Sequence, residues 1–132
     1  MLFHHICIQT GCYRESLDFY TRVLGMRLLL ETPGFHGRDF NTWLEGHGLR
    51  IELQTGKRGQ PLAAFERERE GIVHFALYTD RIEQCLHDLQ SRGCSSFLPK
   101  GGDILYQVNG GQLFKLTAPE GTIIEVRDGL TL

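Results

Sequence analysis

A nine-residue stretch occurs twice in this chain, and each copy puts a glutamate where strands disfavour one. Residues 48–56 read Gly-Leu-Arg-Ile-Glu-Leu-Gln-Thr-Gly and residues 121–129 read Gly-Thr-Ile-Ile-Glu-Val-Arg-Asp-Gly, so both fit G-x-x-I-E-[L/V]-x-x-G. A short β-branched and aliphatic run closed by glycines is a strand signature, whereas glutamate is depleted in strands. Glu52 and Glu125, placed alike in two such strands, imply a duplicated module and a paired carboxylate site.

Spacing extends the duplication beyond the strand itself. His5 and His74 lie 69 residues apart, Glu52 and Glu125 lie 73 apart, and each histidine precedes an amphipathic segment that closes at a glycine, Gly25 or Gly93. In the first module periodicity predicts a strand over 2–9 and a helix over 14–24 with Leu17, Tyr20 and Leu24 on one stripe. Strands over 26–32, 38–45 and 48–56 follow. In the second it predicts a strand over 72–79 and a helix opened by a capping box at Asp80 to Glu83, with Ile82, Cys85, Leu86 and Leu89 on its stripe. Strands over 95–98, 112–117 and 122–126 complete it, with 104–108 left unassigned. Residues 57–70 join loop chemistry to a mixed-sign charged run and read as a solvated connector.

The expected fold class is therefore α+β: two β-α-β-β-β modules, residues 1–56 and 71–132, forming an open, barrel-like sheet with helices on the outside. With 132 residues and 41% hydrophobic content the chain has material for one core and not for two, so a single domain is expected. One module alone leaves a sheet face bare, and a second module, in the same chain or in a partner, must cover it.

Strand parity then sorts the side chains. Leu49, Ile51 and Leu53 point one way and Arg50, Glu52 and Gln54 the other; the same division places Ile123, Glu125 and Arg127 together. Turning the apolar side of each strand toward a helix leaves His5, Glu52, His74 and Glu125 on the uncovered face, which becomes a cavity. Two imidazoles and two carboxylates suit a divalent transition metal with positions left for water or substrate. Taken singly, a strand histidine or glutamate is an ordinary packing or solvated residue. The repeat-related positions, shared face and matched residue types carry the metal reading.

Other residues take lesser roles. His4 points to the apolar side as a structural group, and His36, His47 and His87 fall outside the repeat. Trp43 and Phe114 are core or pocket-lining aromatics, and Cys7 is the one cysteine of the four expected to face the cavity. A net charge of −2, from 14 basic and 16 acidic residues, gives no reason to expect nucleic acid. No apolar run approaches the roughly 20 residues that span a bilayer. Cysteines without C-x-x-C spacing and an amino terminus unlike a signal peptide point to a reduced, cytoplasmic protein, and the charge balance to a partner that is a small-molecule substrate or another protein.

The residues that carry these expectations resemble the vicinal oxygen chelate superfamily, and within it glyoxalase I. The first signature is His5-Ile6-Cys7-Ile8 with Ser16 to Met26, and the second is Gly71-Ile72-Val73-His74 with Ala118 to Glu125. The resemblance covers nearly the whole chain. It implies metal ligands in the order His5, Glu52, His74, Glu125, one divalent ion per site, nickel or zinc first with cobalt or manganese also suited, and Glu52 and Glu125 as the candidate catalytic bases. It also implies a homodimer and a lyase reaction that turns a 2-oxoaldehyde thiohemiacetal into a 2-hydroxyacyl thioester through an enediolate. The chain departs from the bacterial pattern where glutathione is held, with Gln9 in place of an arginine and Gly56 in place of an asparagine. Two other readings stand beside this one: another metal-dependent enzyme of the superfamily, an epimerase or thiol transferase, and a non-catalytic small-molecule-binding protein.

Overall fold

The computed structural model describes residues 1–130; residues 131 and 132, the end of the second expected module, lie outside the described residues. The chain forms two compact units, Met1–Phe65 and Glu66–Leu132, whose boundary falls inside the expected connector.

The first unit contains β1 (Ile6–Thr10), α1 (Tyr13–Asp18), a π-helical turn (Phe19–Val23), β2 (Arg27–Pro33), a 3-10 turn (Phe35–Gly37), β3 (Phe40–Gly46) and β4 (Leu49–Thr55). Its sheet has the order β1-β4-β3-β2, with β1 parallel to β4 and the other pairs antiparallel. A parallel pair needs a long crossover, and the helical segment with the β2–β3 hairpin supplies it. Ile8, Tyr20, Val23, Leu24, Leu44, Ile51 and Leu53 are buried, which puts the core on the helix side of β1, β3 and β4.

Two sequence expectations shift here. The helix expected over 14–24 is α-helical only to Asp18, after which the backbone widens and Leu24 N–H reaches Phe19 O at 2.8 Å. The wider turn buries Phe19, Tyr20, Val23 and Leu24 together, so four positions serve where a single stripe would offer fewer. The first strand starts at Ile6 instead of residue 2, and Met1, Leu2 and Phe3 are exposed. The helix is tied to the sheet by Tyr13, whose hydroxyl donates to Glu31 of β2 and touches Thr42 of β3. Burial, then the Glu31 hydrogen bond, pushes the Tyr13 hydroxyl up to about 12.

The second unit repeats this plan with β5 (His74–Tyr78), α2 (Ile82–Ser91), β6 (Tyr106–Val108), β7 (Gly111–Thr117) and β8 (Ile123–Arg127). Its sheet order, β5-β8-β7-β6, has the same parallel pair and the same antiparallel neighbours. The capping box expected at Asp80 to Glu83 does not form: Arg81 precedes the helix without a side-chain cap, and its N–H goes to the Thr79 hydroxyl at 3.2 Å. The strand expected over 95–98 is reduced to a bridge from Phe97 to Leu116, and the unassigned segment provides β6. Both pieces lie along one edge of β7. Pro99, which has no N–H, and Gly101 and Gly102, at φ of 60° and 90°, break the strand between them.

The repeat's glycines have separate structural reasons. Gly48 and His47 both take positive φ, 73° and 55°, as a two-residue turn between β3 and β4 requires. Gly129, at the end of the second copy, has no room for a side chain, because a Cβ there would lie 1.8 Å from Gly110 O. Gly129→Ala is expected to cost about 1–3 kcal/mol in chemical denaturation, and a cost near zero would show that the turn at 110–111 adapts freely.

Candidate functional site

Each unit brings one histidine and one glutamate of the predicted set together. In the first, Glu52 stands on β4 between Cys7 of β1 and Trp43 of β3, its partners in register. His5, just before β1, places Nε2 3.4 Å from Glu52 Oε2. The other carboxylate oxygen accepts a hydrogen bond from Asn41 Nδ2 at 2.8 Å, so the glutamate is oriented by a neutral donor. Trp43 lays its ring edgewise to His5, with centroids 4.8 Å apart, and thus borders the site. His4 is a correction: it contacts His5 through Nδ1 atoms 2.7 Å apart and is exposed. Strand alternation fails there because both histidines precede the first strand residue.

Cys7 faces Glu52 as parity predicts. Its thiol is pushed up to about 11, by burial first and then by the charge and hydrogen bond of Glu52.

In the second unit Glu125 stands on β8 between Ala76 of β5 and Lys115 of β7. His74 Nε2 lies 3.6 Å from Glu125 Oε2. Here the flanking groups are cations: Lys115 Nζ lies 3.3 Å from Oε2, and Arg127 Nη1 lies 3.9 Å from Oε1. Glu125 is buried at 6% exposure. The two pairs thus match in residue type and differ in their electrostatic support. Sequence reasoning missed Asn41 and Lys115, because a contact from a neighbouring strand depends on register, which a strand's own alternation does not reveal. Arg127 was placed on the right face by parity without a role.

These pairs can be tested against a metal. Two ligands in neighbouring positions on one ion, each at about 2.1 Å, stand roughly 3.0–3.4 Å apart. The observed 3.4 Å and 3.6 Å match that separation or need a small closure, and the nitrogen and oxygen donors suit a divalent transition metal. Among the described residues no group of three or more His, Cys, Asp or Glu side chains is placed to hold an ion. Each pair by itself thus offers one nitrogen and one oxygen donor at a spacing that fits neighbouring positions on an ion.

Solved structures share this fold. A glyoxalase family protein from Enterococcus faecalis is 22% identical, with a TM-score of 0.78 over 96% of this chain and 97% of its own. A glyoxylase/bleomycin resistance protein/dioxygenase domain from Frankia sp. EAN1pec is 19% identical, with a TM-score of 0.77 over 98% and 92%. The fosfomycin resistance protein FosX from Listeria monocytogenes is 16% identical, with a TM-score of 0.75 over 100% and 97%. That protein is also known in complex with Mn(II) and a sulfate ion. At these identities the likeness establishes the fold, which is the glyoxalase-like α+β arrangement expected from the repeat. The family model of the Glyoxalase/Bleomycin resistance protein/Dioxygenase superfamily matches residues 2–125, and the chain belongs to that superfamily. No curated protein matches the chain in sequence. Among the described residues no helix is long and apolar enough to cross a membrane.

Proposed function

We propose that this chain is a metal-dependent, glyoxalase I-like lyase that converts a 2-oxoaldehyde thiohemiacetal into a 2-hydroxyacyl thioester through an enediolate. The observation that supports it is the duplicated pair, a histidine Nε2 and a glutamate Oε2 set 3.4 Å and 3.6 Å apart in the two units. His5, Glu52, His74 and Glu125 would hold one divalent ion, two ligands from each module, within one chain or across a homodimer. Nickel and zinc are the first candidates, with cobalt and manganese also suited to the donor set. Once bound, the ion would supply positive charge that favours the negative oxygen developing as the substrate loses its proton.

The chain's own groups do the rest. A carboxylate, Glu52 or Glu125, takes the proton from the carbon bearing the sulfur, and the proton is delivered to the neighbouring carbon. The substrate is isomerised with no net gain or loss of atoms. Asn41 holds Glu52 by one oxygen, which leaves the other directed at His5. Lys115 and Arg127 compensate the charge of Glu125.

The test is thioester formation from methylglyoxal and a panel of thiols by the metal-loaded protein, with metal content measured in parallel. Turnover that requires a stoichiometric divalent ion is expected. No turnover with any thiol, together with metal-dependent proton exchange on an acyl thioester, would replace the lyase with an epimerase.

A further inference from the structure

Among the described residues three arginines are partly buried: Arg38, Arg50 and Arg127. Arg50 pairs with Glu45 at 2.8 Å and Arg127 reaches Glu125 at 3.9 Å. Among the described residues Arg38 makes no ion pair with a carboxylate. Its Nη1 donates to Gln9 Oε1 at 2.9 Å and to the Thr55 carbonyl, both neutral, and the adjacent Asp39 is engaged by Arg58 at 2.8 Å. The guanidinium keeps Nε and Nη2 without a hydrogen-bond partner among the described residues.

Its position ties it to the first half-site. Gln9 and Cys7 share a face of β1, and their partners in register on β4 are Gln54 and Glu52. Gln9 is two residues beyond Cys7, so Arg38 is anchored about 7 Å further along the strand than Glu52. The backbone that delivers it is fixed by a bridge between Arg38 and Lys57 and by Gly37 at a φ of 75°.

We propose that Arg38 is a specificity residue that binds a carboxylate on the thiol portion of the substrate. A planar guanidinium with free N–H groups matches a carboxylate in geometry and charge, and partial burial strengthens the contact. The assignment rests on the first half-site being where the substrate reacts. The anion it accepts would sit on the order of 7 Å from the atoms near Glu52.

The binding test uses metal-free protein, so it does not depend on turnover. The probes are 3-(methylthio)propionate and its uncharged amide, followed by NMR shifts of the protein's amides. The carboxylate is expected to bind at least about tenfold more tightly than the amide, to weaken with added salt, and to lose that advantage in Arg38→Gln while Arg38→Lys keeps part of it. Equal binding of the two probes to the unaltered protein, which needs no variant to fold, would overturn the proposal, as would a carboxylate preference that survives in Arg38→Gln. An Arg38-dependent preference without thioester formation from any thiol would retain this site and remove the lyase reading.

Discussion

Glu52→Gln is expected to lower thioester formation by about a thousandfold and to leave the fold in place. Glutamine fills the same space and can still accept the Asn41 hydrogen bond, yet it carries no negative charge for a metal and no basic oxygen for a proton. Metal content should fall with activity, because the loss removes one of the two groups that stand 3.4 Å apart in that unit. His74→Ala, which acts on the other pair, should reduce bound metal as well. Chelation of the unaltered protein should reproduce the loss of turnover, and readdition of nickel, zinc, cobalt or manganese should reverse it to different extents. Full metal occupancy in both variants would mean that these four residues are not the ligands.

The neighbouring residue should behave in the opposite manner. Ile51 is fully buried, and its side chain lies on the helix side of the sheet. Ile51→Ala is expected to destabilise the protein by about 2–5 kcal/mol, the cost of lost apolar burial plus a cavity. Glu52→Gln, on the partly exposed opposite face, should cost about 1 kcal/mol or less in the metal-free protein. Denaturant melts of the two variants compare adjacent positions on one strand. Similar losses would show that the sheet's two faces are not divided between core and site as the parity of β4 indicates.

That division was legible because strands alternate and the repeat supplied two chances to observe it. The burial along β4, with Ile51 and Leu53 inside and Glu52 part-exposed, follows the pattern read from Leu49 to Gln54. Spacing and strand parity together put each histidine on the face of its glutamate, and the two stand 3.4 Å and 3.6 Å apart. What alternation cannot show is what happens across strands or where alternation has not begun. Asn41 and Lys115 reach the glutamates from β3 and β7, and His4 meets His5 because the chain there is not yet a strand. The π-helical turn escaped for a related reason: helical periodicity assumes 3.6 residues per turn, and Phe19 to Val23 widen the backbone to bury more aromatic surface. Arg38 could not be singled out either, since an arginine's lack of a counter-ion is visible only after every nearby carboxylate has been placed.

The broken edge of the second sheet bears on how such a duplicated protein can diverge. Three steps along β7, from Leu113 to Leu116, are matched by nine on its partner segment, from Tyr106 back to Phe97. The second copy therefore carries six more residues there than an uninterrupted strand would use. All of this length lies at the outer edge, while the strand bearing Glu125 sits on the far side of β7, and its pairing with β5 runs without a slip from His74 to Tyr78. Mutations that lengthen or cut the outermost strand are thus insulated from His74 and Glu125, because no strand beyond it transmits the change. With the His74 and Glu125 pair toward one margin of the sheet and a tolerant strand at the other, new loops can be sampled without disturbing that pair.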